Sequence, residues 1–272
     1  MSYIPIIARV NSLPPLPESV LEIEQVFSQG NPDIDKIVKI IEKDPSLTAD
    51  ILSKVNAPLY GFRKSIVSVL QAVTLFGSSQ IRSIVLSSSI HRGFDIDLAP
   101  YGISTLEFSK ISMMQSELMF QWYMGIDVDI ARSATPIAFL METGKILIAK
   151  DVLENKKTAA FLNDLSKYED VSYVENIYTM MSTAQINALI FKHLNLNEIF
   201  SECMRYLDNE HEIPSNLKDI VIPLQIVRAA INIQDQLSEY SIANAINLLA
   251  QNSYSVESFE RAIKRVKTKY LE

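Results

Sequence analysis

The feature that most constrains this chain is its shortage of the residues a β-hairpin turns on. Only seven glycines occur in 272 residues, and Asn-Gly, Asp-Gly and Gly-Gly pairs are absent. Two-residue hairpins depend on such pairs because the favoured turns need positive φ at their central positions. Helical spacing fills the chain instead. Ile34, Ile37, Val38 and Ile41 fall at i, i+3, i+4 and i+7, and the template recurs in Val69, Ala72, Val73, Phe76 and in Ile242, Ala245, Ile246, Leu249. Val256, Phe259, Ile263, Val266 and Tyr270 carry one more apolar stripe towards the C-terminus and leave the basic residues outside it. An all-α fold is expected.

Start and stop signals agree with that period. "NPD" at 31–33 and "DPS" at 44–46 set a capping side chain before a proline, which predicts Asn31 and Asp44 as caps. Gly30 and Gly77 follow periodic segments, where a residue able to take positive φ closes a helix cheaply. Helices are predicted near 17–28, 33–43, 45–56, 67–76, 78–91, 104–124, 128–142, 145–153 and 156–167, and then near 171–181, 183–193, 196–208, 215–236, 241–252 and 255–270. Gly93, Pro100 and Gly102 interrupt the pattern, and Asp95 and Asp97 prefer water, so 93–103 is the expected internal boundary between two helical lobes. No 20–50-residue repeat is visible.

A chain of this length buries about three-quarters of its unfolded surface, enough for a substantial core. Its 48% apolar and 21% charged residues are ordinary globular composition, and no uninterrupted apolar run reaches the length of a membrane span. The start, "MSYIPIIARVNSLPPLP", lacks the marks of a secretion signal, so a cytoplasmic protein is expected. The lone cysteine, Cys203, excludes an internal disulfide and reads as a small buried apolar residue. A net charge of -7 opposes polyanions, and "RAIKRVKTK" reads as a solvated helix face; neither nucleic acid nor membrane is expected as a partner.

The run "AFLMETGKILI" at 138–148 sets Gly144-Lys145 against an apolar helix-like segment. A phosphate-binding loop needs a glycine well before that pair and a Ser or Thr after it, and Phe139 and Ile146 stand there. No nucleophile elbow, zinc-binding His-Glu-x-x-His or dinucleotide fingerprint occurs. The three histidines, His91, His193 and His211, are too scattered to form a cluster by helical spacing. His91 and His193 read as residues at helix ends, His91 as a positive charge welcomed by terminal carbonyls, and His211 as part of a solvated loop. "DID" at 95–97 and "DVD" at 127–129 lack the rest of a calcium loop and read as caps or loop residues, and Trp122 reads as core.

Three segments, "LPPLPESVLEIEQV", "IIEKDPSLTADILSKVNAPLYG" and "SIVSVLQAVTLFGSSQIRSIVLSSS", closely resemble in order and spacing the HDOD family, the bacterial HD-related output domain. The resemblance runs from about Leu13 to Asp208 and includes Pro14, Leu16, Pro17, Asp44, Pro45, Asn56, Gly77 and Gly144. It implies an all-α bundle related to HD metal-dependent phosphohydrolases, with an added N-terminal helical lobe and with 209–272 as C-terminal helices packing on the HD-like lobe. Ala57 and Asn187 depart from the usual serine and glycine.

The resemblance also locates the metal positions of HD enzymes. A His-Asp pair precedes Gly-Lys there; here Met141 and Glu142 do. Thr183 stands where a histidine begins the later segment, Leu207 and Asp208 where two histidines often end it, and no histidine occupies 110–112. A thioether is a poor ligand for a hard ion. Gly144 is expected to be a helix terminator kept from the hydrolase scaffold. The reading that follows is of a non-enzymatic signal-transduction adaptor with no cofactor, working through contacts with other signalling proteins; homo-oligomerisation stays open. The proline-led entrance 14–17 and the loop 93–103 are the expected contact surfaces. The alternative is a nucleotide or cyclic-dinucleotide sensor that uses the pocket near Glu142 and Asp208 without turnover, and a residual hydrolase is the third reading.

Overall fold

A computed structural model of the chain describes residues 4–60, 62, 64–92, 94–208 and 212–271. His211 and Gly93, both read above as loop residues, lie outside them. The described residues form sixteen α-helices. In chain order these are α1 (Ile4–Asn11), α2 (Glu18–Ser28), α3 (Ile34–Lys43), α4 (Pro45–Val55), α5 (Val69–Phe76), α6 (Ser78–His91), α7 (Thr105–Tyr123) and α8 (Val128–Leu140). There follow α9 (Gly144–Glu154), α10 (Thr158–Leu165), α11 (Val171–Thr179), α12 (Thr183–His193), α13 (Glu198–Arg205), α14 (Lys218–Ala230), α15 (Glu239–Gln251) and α16 (Val256–Tyr270). The described residues contain no strand, only one isolated bridge, Ile231 to Gln236. No single described helix is long and apolar enough to cross a membrane; α5 and α6 pass such a test together, but the chain bends by 118° between them.

Two compact units result, interleaved along the chain. One comprises 1–14, 94–115 and 140–256; the other comprises 15–93, 116–139 and 257–272. This division differs from the sequential one expected, since α16 belongs with the N-terminal helices. Phe259 meets Trp122 edge to face at 4.8 Å, and Lys269 Nζ donates to Glu117 at 2.7 Å. The chain passes between units inside α7, after Gln115, and again at the end of α8.

The unit holding α2–α6 is organised around α6, which is buried from Ser79 to Ile90. Local chemistry fixes its turns. Asp44 caps α4 by accepting from the Leu47 amide at 3.0 Å and holds Ser19 Oγ at 2.7 Å. Asn56 bridges the chain ten residues on: its amide donates to Ile66 O and its carbonyl accepts from Ile66 N, both at 2.8 Å. Asn31 is not a cap; Asp33, one residue past the proline, accepts from Lys36 N and begins α3. Gly30 and Gly77 do take positive φ, 94° and 80°. His91 ends α6 as expected but is not a surface cation. Burial, with Lys54 nearby, pushes its pKa down to about 3, so the ring is neutral.

The other unit is built on α9, whose residues from Gly144 to Ala149 are all buried. α1 packs on α9 and α12 through Ile6 and Val10. That helix was not predicted, because its eight residues are too few to repeat the apolar period. α14 ends at Ala230, short of the expected 236. There Asn232 Oδ1 accepts from the Gln234 and Asp235 amides, a side-chain turn that competes with helix. Cys203 is fully buried, and Asp127 accepts from two amides at the start of α8, both as expected.

Candidate functional site

The segment between α8 and α9 shapes the site. α12 lies so close that a Cβ on Gly144 would sit 2.6 Å from Thr183 O and 3.2 Å from Ile186 Cβ. Gly144 is thus the first residue of a helix, without positive φ, and close packing rather than helix termination demands it. Asn187 holds the turn: its Oδ1 accepts from Gly144 N at 2.7 Å and its Nδ2 donates to Met141 O at 2.6 Å. The departure from glycine at 187 therefore adds a staple between α12 and the turn.

That turn presents two charged side chains inward. Glu142 is 2% exposed and Lys145 5%. Lys145 Nζ donates to Glu142 Oε2 at 3.0 Å, to Glu175 Oε1 at 2.8 Å and to Thr183 Oγ1 at 3.1 Å. Glu175, from α11, is fully buried and also accepts from Tyr101 OH at 2.9 Å, Thr183 N at 2.6 Å and Thr183 Oγ1 at 2.8 Å. Burial alone would lower the Lys145 pKa, but the two carboxylates outweigh it and raise it. Burial would likewise raise the Glu142 carboxyl, yet Lys145, then Arg228, hold it below its ordinary value. Both groups stay charged at neutral pH. Gln115 Nε2 reaches the second oxygen of Glu142 at 3.0 Å and Ile231 O at 2.8 Å.

Asp208 anchors a neighbouring cluster. It accepts from Arg228 at 2.8 Å, from Ser172 Oγ at 3.0 Å and from Ser182 Oγ, while Arg228 also donates to Leu207 O at 2.7 Å. Burial raises the Asp208 carboxyl, and Arg228 and the serine donors more than reverse that. A pocket of about 230 Å³ opens beside these groups, lined by Glu142, Lys145, Leu207, Arg228, Glu169 and Asp170 among others.

Of the positions singled out in the sequence, Glu142 and Leu207 line the pocket, Asp208 lies behind its Arg228, Thr183 bonds to Glu175 and Lys145, and Met141 is wholly buried and lends its carbonyl to Asn187. Lys145, Glu175, Arg228 and Gln115 were missed. Two had a signal: Glu175 interrupts the apolar stripe of Val171, Val174 and Tyr178, and Arg228 lies within the otherwise apolar "IVIPLQIVRAAI".

A helical bundle with a buried polar site at this turn is the HD-like architecture, and comparisons with known proteins agree. The model of the HDOD domain matches residues 13–210. The chain belongs to the HDOD family. A virulence factor of Campylobacter jejuni subsp. jejuni is similar at 25% identity and a TM-score of 0.58, over 97% of this chain and 96% of that one. A Shewanella amazonensis SB2B protein named as a candidate phosphohydrolase shares the fold at TM-score 0.70 and 14% identity, over 97% and 93%. A Marinobacter aquaeolei VT8 protein named for signal transduction does so at 0.71 and 19%, over 96% of this chain but 58% of that one. An uncharacterised protein of Treponema pallidum (strain Nichols) is 22% identical over 240 residues, 85% of this chain, which spans 44% of that relative's length. HDOD membership sets the chain among signalling modules and assigns neither reaction nor partner.

Proposed function

We propose that this chain is a non-catalytic signalling module that acts by binding another protein. The observation that carries the reading is the state of the acceptors at the former metal positions. A hydrolytic metal pair needs several nitrogen and oxygen lone pairs aimed at one point. Leu207 has none, Met141 offers a thioether, and Thr183 gives its hydroxyl proton to Glu175. Glu142 accepts from Lys145 and Gln115, and Asp208 from Arg228 and two serines. Among the described residues no three His, Cys, Asp or Glu side chains converge to hold a metal. These residues do not fit a dinuclear centre.

Contact with a protein has surface to use. In the unit built on α6, Phe62, Val67, Leu70 and Leu75 are each at least 45% exposed, and this reading takes them as its docking surface. Pro14, Pro15, Asp95 and Asp97 are exposed too. A nucleotide-sensing role finds less support. Glu142, Glu169 and Asp170 outnumber Lys145 and Arg228 in the pocket, and Glu175 and Asp208 stand behind it. Such a field disfavours a polyanion.

The test is metal analysis of the purified protein with a phosphodiesterase assay, alongside cross-linking in native cells of the wild type and a Val67→Asp/Leu70→Asp variant. Substoichiometric metal, no turnover, and a reproducible cross-linked partner weakened at least tenfold in the variant are expected. Stoichiometric metal with turnover overturns the reading.

A further inference from the structure

We propose that the groove between α14 and α15 binds a linear polyamine, a flexible aliphatic chain carrying protonated amines at both ends. The site lies wholly within the unit built on α9. It goes beyond the protein-binding reading and does not depend on it.

The pocket beside Glu142 and Arg228 is one end of a longer groove. A second hollow, of about 590 Å³, lies between the start of α14 and the end of α15, and Gln225 and Leu248 line both. The joined volume falls in the range of roughly 300–1,000 Å³ that small-ligand sites occupy. Asp219, Ile222, Gln225 and Ala229 follow one another at steps of three or four residues, so the groove runs along one face of α14. At 1.5 Å per residue that face spans about 15 Å. The site is elongated.

Carboxylates stand at both ends, Glu169 and Asp170 at one, Glu212 and Asp219 at the other, and all four are exposed. Glu169, Glu212 and Asp219 have no cationic partner among the described residues. Lys145 and Arg228 lie at the inner end, but Glu142, Glu175 and Asp208 already neutralise them, which leaves Lys218 as the one other lining cation. Between the ends Ile213, Ile222 and Leu248 offer aliphatic walls. The neck supplies the independent pointer to a ligand. Gln225 is only 9% exposed; its Nε2 donates to Tyr206 O at 2.8 Å, and its Oε1 meets no donor among the described residues. A carbonyl oxygen so placed has lost water without gaining a partner, so a donor arriving in the groove is rewarded. The complement is a chain with a cation at each end, methylenes along the aliphatic walls and an N–H at the middle, which is the chemistry of a triamine such as spermidine.

The experiment is calorimetric titration of the full chain with spermidine, with hexaamminecobalt(III), which carries the same charge but no aliphatic stem, and with tetralysine. It is run in about 0.15 M sodium chloride, where attraction between exposed charges is screened beyond roughly 8 Å. Saturable one-to-one binding of spermidine is expected, roughly tenfold tighter than that of the cobalt complex. Glu169→Gln/Asp219→Asn should weaken it roughly tenfold. Asp129→Asn/Glu257→Gln removes the same charge from exposed positions in the other unit and should leave it unchanged. Gln225→Met, which deletes the unpaired oxygen without altering charge, should weaken it as well; if that variant does not fold, the two charge-matched pairs decide alone. No saturable binding, equal affinity for the cobalt complex, or equal losses in the two pairs would show only diffuse attraction to an acidic chain and overturns the proposal. Tetralysine bound as tightly as spermidine would assign the groove to a basic peptide and overturns it too.

Discussion

In the unit built on α6, five serines are buried on one helix: Ser79, Ser83, Ser87, Ser88 and Ser89. Where they bond they bond locally: Ser83 donates to Ser79 O at 3.0 Å, and Ser87 lies 3.3 Å from His91 Nδ1. α6 also buries one charge, Arg82, which donates to Glu24, but in the unit built on α9 the buried charges form connected clusters, in which Lys145, Glu142, Glu175, Arg228 and Asp208 link residues up to tens of positions apart. Small hydroxyls on a helix bend back to its own carbonyls, so each costs or gains little and none depends on another. Buried charges have no such fallback. Each needs its partner, which makes the second kind of polarity cooperative and specific for one arrangement of helices.

Glu175→Ala should test that contrast most severely. It strips partners from Tyr101, Lys145 and both donors of Thr183. A loss of about 3–5 kcal/mol in urea unfolding is expected, against less than about 1 kcal/mol for Ser83→Ala in α6. Comparable losses would dissolve the distinction. Two glycines extend it to the backbone. At Gly144 an added methyl meets Thr183 O, which belongs to a packed helix and cannot swing aside, so Gly144→Ala should cost about 1–3 kcal/mol. Gly77 has open space around it but sits at φ 80° and ψ 157°, a region that glycine alone visits readily, so Gly77→Ala should cost about 1–3 kcal/mol through backbone strain with no clash at all.

Acid separates the same two regions by pH. Glu142 and Asp208 have lowered folded pKa values, so their contribution is present above the ordinary carboxylate range and disappears as pH falls through the lower folded values. His91 acts earlier. Its folded pKa is about 3 against an ordinary 6.5, so the unfolded chain takes up a proton first and stability declines from about pH 6.5 downwards. Denaturant midpoints between pH 7 and 4.5 should fall in the wild type and flatten in His91→Gln. An unchanged slope would mean that the ring is already paired as a cation.

Helix positions were legible because the apolar period and the proline-led caps are local signals, and α3 through α6 start and stop within about two residues of expectation. What reads poorly is anything set by tertiary approach. Gly144 looked like a terminator because the sequence cannot display the α12 carbonyl that crowds it. Lys145 was weighed only as a phosphate ligand, since two of its three acceptors lie 30 and 38 residues away. The resemblance singled out Glu142, Thr183 and Asp208, which lie in adjoining clusters, but the partners they meet depended on Arg228 and Lys145, and on Glu175 behind them, residues the resemblance did not flag.

The smallest expected effect is also the sharpest check on the α6 half of the comparison. Ser88 Oγ and Ser89 Oγ are buried without a hydrogen-bond partner. A hydroxyl in that state has lost its water and gained nothing in exchange, whereas the methyl of alanine carries no such penalty and adds helix propensity. Ser88→Ala and Ser89→Ala should therefore be neutral or stabilising by up to about 1 kcal/mol. A loss above that in either variant would reveal a bonded hydroxyl, and that serine would then be held as the charged cluster is, through a partner rather than in spite of lacking one.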